Sequence, residues 1–253
     1  MKLVFFDIDG TLAHGLEVPA STQSAIKQLR KNGHKVLICT GRAISYVKKY
    51  FAQYADGYIA FNGRYGEMNG KVLYDHPVSP EKIHEIAQVL REEGAGFAFY
   101  NLNHGYFEGS DEDFVMMSKI WEPGFLVRSK QEKIEAYSCD VIYQSKVQMD
   151  HIALRLKDSC LFNDHGAHPS CDTTFYGIDK GTALQAMAKV LNVPIEDTYA
   201  FGDGCNDVVM MKACGHGIAM GNGVDDVKKA AEYITDSIDQ EGIRKGLEHY
   251  ELI

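Results

Sequence analysis

LVFFDIDGTL, residues 3–12, is the stretch on which the reading of this chain turns. Leu3, Val4, Phe5 and Phe6 form a short unbroken apolar run that ends abruptly in Asp7, Ile8, Asp9 and Gly10. A strand with one face in water alternates apolar with polar, whereas a strand inside a parallel sheet is covered on both faces and reads as a continuous run. The segment is therefore expected to be a buried parallel strand whose C-terminal end opens into an acidic loop.

Working outward, the same design recurs. Residues 21–31 carry a helical pattern with Ala25, Ile26 and Leu29 on one face, stopped by Asn32-Gly33. Lys35–Cys39 is a second buried-type strand, followed by Thr40-Gly41-Arg42 and a helix through residue 54. Residues 58–61 make a third strand, ending at Asn62-Gly63. This alternation is the rhythm of a parallel α/β sheet, in which ligands bind beyond the C-terminal ends of the strands. Asp7, Thr40 and Asn62 all fall there.

From about residue 79 to 176 the character changes. A helix over 80–92, an aromatic strand over 97–100, a helical stretch over 111–120 and later strands, including one over 151–156, come with frequent turn residues. This predicts an inserted α+β domain with a mixed sheet. After Lys180 the first rhythm returns, with a helix over 182–191, a strand over 198–201 and then Gly202-Asp203-Gly204. A fourth acidic strand end is thereby brought within reach of the first. The expected architecture is an α/β core of residues 1–78 and 177–253, interrupted by an inserted domain of residues 79–176.

Composition excludes several function classes. The 253 residues are 45% hydrophobic and 24% charged, the balance of a globular chain large enough to bury a substantial core. A formal net charge of -9, without a basic stripe, argues against nucleic acid as a partner. An acidic protein that handles phosphate must supply positive charge locally, and a divalent cation would do so. Cys39, Cys139, Cys160, Cys171, Cys205 and Cys214 form no CxxC pair and are expected to be reduced and mostly buried. The apolar run at the start is too short for a signal peptide, and no stretch is long enough to span a bilayer, so the expectation is a cytoplasmic protein without membrane contact.

Four segments carry the candidate chemistry. Asp7 and Asp9 sit directly after a buried strand, with Gly10 permitting a tight path and Thr11 adding a hydroxyl, although Asp and Gly also serve ordinary turns. An EF-hand is excluded, because the glycine comes two positions early and Val18 stands where a bidentate Glu is needed. Asp203, Asn206 and Asp207 offer oxygen ligands suited to a hard cation, while Asn206 or Asp207 could instead cap a helix. The GxGxx in this stretch lacks a third glycine and is no dinucleotide fingerprint. Thr40 and Gly41 precede a helix whose N–H groups could cradle phosphate, with ordinary capping by Thr40 as the alternative. Lys180 opens a helix against its dipole, although most lysines are simply solvated.

Together DIDGTL, CTGR, DKGTAL and GDGCND occur in the order of the four motifs of the haloacid-dehalogenase-like (HAD) hydrolase superfamily. The tail from Gly215 onward (GHGIAMGNGVDDVKKAAEYITDSIDQEGIRKGLEHY) resembles its Cof-type phosphatase branch, which carries a type IIB cap where the inserted segment lies. The resemblance implies a Rossmann-like core and a magnesium-dependent phosphatase of small phosphorylated metabolites. In that reading Asp7 is the nucleophile that becomes an aspartyl-phosphate, and Asp9 is the general acid and base. Mg²⁺ is held by Asp7, the Asp9 carbonyl and Asp203, with Asn206 and Asp207 supporting the loop, while Thr40, Gly41 and Lys180 bind the phosphoryl oxygens. Sugar phosphates and phosphorylated cofactors are the expected substrates. A sugar phosphomutase on the same core is the rival enzyme, and a non-catalytic phosphometabolite sensor is the rival outside enzymes. The YNLNHGY segment, with Tyr100, Asn101, Asn103, His104 and Tyr106, could face substrate or be a surface loop with β-strand aromatics.

Overall fold

A computed structural model of the chain describes residues 1–119, 124–129, 134–164 and 168–253. These residues form two compact units, Met1–Asp75 with Ile178–Ile253, and His76–Gly177.

The first unit opens with β1 (Leu3–Phe6), α1 (Ala20–Lys31), β2 (Lys35–Cys39), α2 (Ile44–Phe51), β3 (Gly57–Ala60), β4 (Tyr65–Met68) and β5 (Lys71–Asp75). The second unit contributes α3 (Pro80–Glu92), β6 (Gly96–Tyr100), β7 (Gly105–Glu108), α4 (Asp111–Ser118), β8 (Leu126–Arg128), β9 (Ser138–Ile142), α5 (Lys146–Arg155), β10 (Cys160–Asp164) and β11 (Ser170–Phe175). The chain then returns with α6 (Lys180–Val190), β12 (Thr198–Gly202), α7 (Val208–Ala213), β13 (His216–Ala219), α8 (Asp225–Ala230), β14 (Tyr233–Ile234) and α9 (Gly242–His249).

The core sheet runs β14-β13-β12-β1-β2-β3-β4-β5. It is parallel from β14 to β3, and β4 and β5 extend it antiparallel. β1 lies between β12 and β2, with Phe6 opposite both Phe201 and Ile38, which explains its uninterrupted apolar sequence. On one face Leu3 and Phe5 pack with Leu184 and Met187 of α6, Met210 of α7 and Val227 of α8. On the other, Phe6 stacks on Phe201 with ring centroids 5.0 Å apart. Because all these strands are parallel, the loops after β1, β2, β3 and β12 emerge from the same end of the sheet.

The second unit has a six-stranded sheet, β10-β11-β9-β6-β7-β8, antiparallel except where β7 meets β8. Ile83, Ile86 and Leu90 of α3 and Ile152 of α5 pack on Phe97, Phe99, Cys139 and Val141. The expected strand over 151–156 is instead the end of α5. Ser145 starts that helix by accepting from the Gln148 N–H, and Met149, Ile152 and Leu156 then meet the core at helical spacing. Leu154, which an alternating strand would have buried, is exposed. The far end of the helix expected over 111–120 falls on Ile120, outside the described residues; the observed helix ends at Ser118.

YNLNHGY forms the β6–β7 hairpin. Asn101 Oδ1 accepts from the Asn103 and His104 N–H groups and closes the turn, while the buried Tyr100 donates its hydroxyl to Asp140. The six cysteines are free; four are buried, Cys214 is half-buried and Cys205 is exposed. No helix among the described residues is long and apolar enough to cross a membrane.

Candidate active site

Four loops at one end of the core sheet bring the candidate residues together. Asp7 continues β1 by one residue, its N–H donating to Phe201 O at 3.0 Å, so the main chain is still locked into the sheet where its carboxylate leaves. Asp203 follows β12 directly. Gly10 turns the first loop at φ +79°, a conformation that suits glycine. It also runs so close to the other loop that a Cβ would lie 2.2 Å from Asp203 Oδ2. Thr11 donates its hydroxyl to Asp203 Oδ1 at 2.7 Å, and Asn222 donates to Gly10 O at 2.8 Å.

Lys180 is wholly buried. Its Nζ lies 2.8 Å from Asp7 Oδ1 and 2.6 Å from Asp207 Oδ1. The helix is pinned at its start by a reciprocal cap: Asp179 Oδ1 accepts from Thr182 N–H, and Thr182 Oγ1 accepts from Asp179 N–H. The alternative of a simply solvated lysine therefore does not hold. Burial opposes its charge, but Asp207 and Asp7 outweigh burial and hold the ammonium above the ordinary lysine value.

Asp207 is engaged at both carboxylate oxygens. Oδ1 takes Lys180, and Oδ2 accepts the N–H groups of Asp203 and Gly204 at 2.9 Å each. The capping alternative is thus met in part, since Asp207 reaches back to the start of its own turn. Thr40 does not cap α2. Ala43 precedes that helix without a side-chain cap, and Thr40 Oγ1 instead accepts from Arg42 N–H at 3.2 Å inside the loop.

Two residues without a role in the sequence reading join the site. Arg42 holds Asp9 in a fork, Nε to Oδ2 at 2.8 Å and Nη2 to Oδ1 at 3.0 Å. Asn62 accepts from Asn206 Nδ2 at 3.1 Å. Arg42 is the last residue of the CTGR motif and Asn62 stands at a strand end, but spacing gives no hint of their partners.

Carboxylate oxygens of Asp7, Asp203 and Asp207 lie within 4.8 Å of one another. Burial first, then neighbouring carboxylates, push Asp7 up to about 8 despite Lys180. Burial also pushes Asp203 up to about 6, against the Thr11 hydrogen bond. One ammonium is too little charge for three converging acids, and the donors are all oxygen. The site therefore fits a hard dication such as Mg²⁺. Asp207 is engaged by Lys180 and two backbone N–H groups, so Asp7 and Asp203 are the carboxylates that would hold it.

The haloacid dehalogenase-like hydrolase family model matches residues 4–247. The chain is 28% identical over 254 residues to the putative phosphatase YkrA of Bacillus subtilis, covering 96% of this chain and 95% of that one. It is 24% identical over 262 residues to the 5-amino-6-(5-phospho-D-ribitylamino)uracil phosphatase YcsE of the same organism, covering 100% and 96%. Among solved structures, the HAD subclass IIB sugar phosphatase BT4131 superposes with a TM-score of 0.84 at 27% identity, covering 100% of both chains. This protein belongs to the haloacid dehalogenase-like hydrolase family. Within it, the chain is a phosphatase of the Cof-type, subclass IIB branch.

Proposed function

We propose that this protein is a cytoplasmic, Mg²⁺-dependent phosphatase that hydrolyses small phosphorylated metabolites through an aspartyl-phosphate on Asp7. The observation that carries the reading is Lys180, a buried ammonium held 2.8 Å from Asp7. A carboxylate meets a phosphate dianion only when their repulsion is cancelled, and this lysine supplies one of the positive charges required. Mg²⁺, held by Asp7, the Asp9 carbonyl and Asp203, would supply the rest as a Lewis acid.

The protein's own groups divide the work. Thr40, the Gly41 N–H and Lys180 bind phosphoryl oxygens, and Asn206 and Asp207 keep the loop in place. An Asp7 carboxylate oxygen attacks phosphorus, the ester P–O bond breaks, and Asp9 gives its proton to the leaving alkoxide. Asp9 then takes a proton from water, which attacks phosphorus and breaks the bond to Asp7. Inorganic phosphate leaves, and both aspartates are restored.

Sugar phosphates and phosphorylated cofactors are the substrates we propose. The sugar phosphatase and ribitylaminouracil phosphatase among the similar proteins support that range. The net charge of -9 supports a small molecule rather than nucleic acid as partner. A panel of phosphorylated metabolites, assayed for released phosphate with Mg²⁺ and with EDTA, tests the proposal. At least one should turn over with metal and none with chelator; EDTA-insensitive hydrolysis would overturn it.

A further inference from the structure

The chain after β3 does something costly. Phe61, Asn62 and Gly63 follow one another at φ +53°, +51° and +112°, all in the left-handed half of conformational space. Glycine takes that region freely and asparagine tolerates it, but phenylalanine rarely does. Such strain persists only where the surroundings enforce it.

Those surroundings are three of the loops that build the site. Phe61 N–H donates to Arg42 O at 3.2 Å, and Asn62 N–H to Thr40 O at 3.0 Å, which ties the turn to the loop after β2. A Cβ on Gly63 would lie 2.4 Å from Asp179 O, so the turn presses against the cap that starts the Lys180 helix. The Asn62 carboxamide oxygen takes the side chain of Asn206, in the loop that carries Asp203 and Asp207. Asn62 is buried, and its backbone and side chain join two loops that share no strand pairing.

We propose that Asn62 is a positioning residue for the cation site. It fixes the Asn206 carboxamide and, through it, the 203–207 loop, in register with the loop that carries Thr40. The inference rests on the reading of Asp7 and Asp203 as cation ligands, and it predicts how tightly the cation binds rather than which groups react. Partners one step removed from a metal commonly change its affinity by about 10–100-fold when lost.

The test is a Mn²⁺ titration followed by electron paramagnetic resonance, with no substrate present. Wild type, Asn62→Gly, Asn62→Asp, Asn206→Ala, the Asn62→Gly/Asn206→Ala double variant and Asp203→Ala are compared, each first checked for folding by circular dichroism. Asn62→Gly keeps the left-handed turn and removes only the side chain, and should weaken Mn²⁺ binding about tenfold. Asn62→Asp, which retains an acceptor oxygen, should bind at least as well as wild type. Asn206→Ala removes the same hydrogen bond without touching the turn, so it tests the inference even if Asn62→Gly folds poorly. The double variant should be no weaker than the weaker single one, because both lose one shared interaction. Equal binding by wild type and Asn62→Gly, with binding lost in Asp203→Ala, would overturn this inference and leave the phosphatase reading intact. Losses that multiply in the double variant would also overturn it. A wild-type protein that binds no Mn²⁺ would overturn both.

Discussion

Arg42 and Asp9 meet as a two-pronged ion pair, with both carboxylate oxygens bonded to the guanidinium. In the proposed reaction Asp9 gives a proton when the ester bond breaks, and the fork fixes the orientation of the carboxyl that delivers it. Arg42→Ala should lower kcat by about 10²-fold on alkyl phosphates, within the range of lost acid–base catalysis. It should cost far less on p-nitrophenyl phosphate, whose leaving group needs little protonation. Steady-state rates on the two ester types check this; equal losses would mean that Arg42 acts elsewhere.

Asp7 and Asp9 should fail in different ways. Asp7→Asn removes the proposed nucleophile and should give neither turnover nor phosphoenzyme. Asp9→Asn should slow alkyl ester hydrolysis by about 10²–10⁴, yet still trap phosphate when the leaving group is good. Mass spectrometry of the quenched protein should place that phosphate on Asp7. Phosphate on Asp9 or on a serine would reverse the assignment.

Lys180 is the counter-charge that sits between two buried acids, Asp7 and Asp207, so its loss should be felt in the fold as well as in the reaction. Removing one partner of a buried ion pair strands the other, at about 3–5 kcal/mol. Lys180→Met should lower Tm by roughly 10 °C at neutral pH for a chain of this size, and should abolish phosphate release. A melting temperature within a degree or two of wild type would show that water or rearrangement had taken over the lysine's role.

The metal-free protein should lose stability as pH rises from about 4 to 8. Folding lifts Asp203 from 3.8 to about 6 and Asp7 from 3.8 to about 8. In that window the folded state holds protons that the unfolded chain has released, so stability is full below the ordinary carboxylate value and declines as pH passes through the folded ones. Saturating Mg²⁺ neutralises the same carboxylates, so the rise in Tm that it produces should be larger at pH 8 than at pH 5. Thermal melts across pH, with and without metal, measure both slopes.

Gly10→Ala should damage the site from outside the chemistry. The added methyl meets Asp203 Oδ2 at 2.2 Å, and the backbone sits at φ +79°. The variant should be destabilised by more than about 1 kcal/mol, and its Mg²⁺ affinity should fall as Asp203 is pushed aside. Calorimetric titration with Mg²⁺ checks this directly.

Strand ends and loop acids were legible because burial on both faces leaves an uninterrupted apolar signature, as in Leu3–Phe6 and Lys35–Cys39. Segment 151–156 misled because Ile152, Leu154 and Leu156 alternate over a short window, and only the Ser145 cap upstream marks the helix. The Arg42–Asp9 fork joins residues 33 apart in sequence, and the Asn62–Asn206 bond joins residues 144 apart. No local pattern encodes such pairs; they follow from which strands lie side by side. Lys180 was visible as a helix-opening lysine, but its burial came from Asp7 and Asp207 arriving on other elements.

The strand order also sets a timetable for synthesis. β1 is made first, yet its partner β12 places Thr198 opposite Leu3, after the whole His76–Gly177 unit has been translated. Until then the nascent sheet has an open flank beside β1, and Asp7 has neither Lys180 nor Asp203 for company. Pairings this distant in sequence are slow to form and leave unpaired edges exposed to aggregation while they wait. A chain released before Thr198 therefore carries Asp7 without the loop of Asp203 and Asp207. Prematurely terminated products of this gene should be inert and prone to clump rather than partly active.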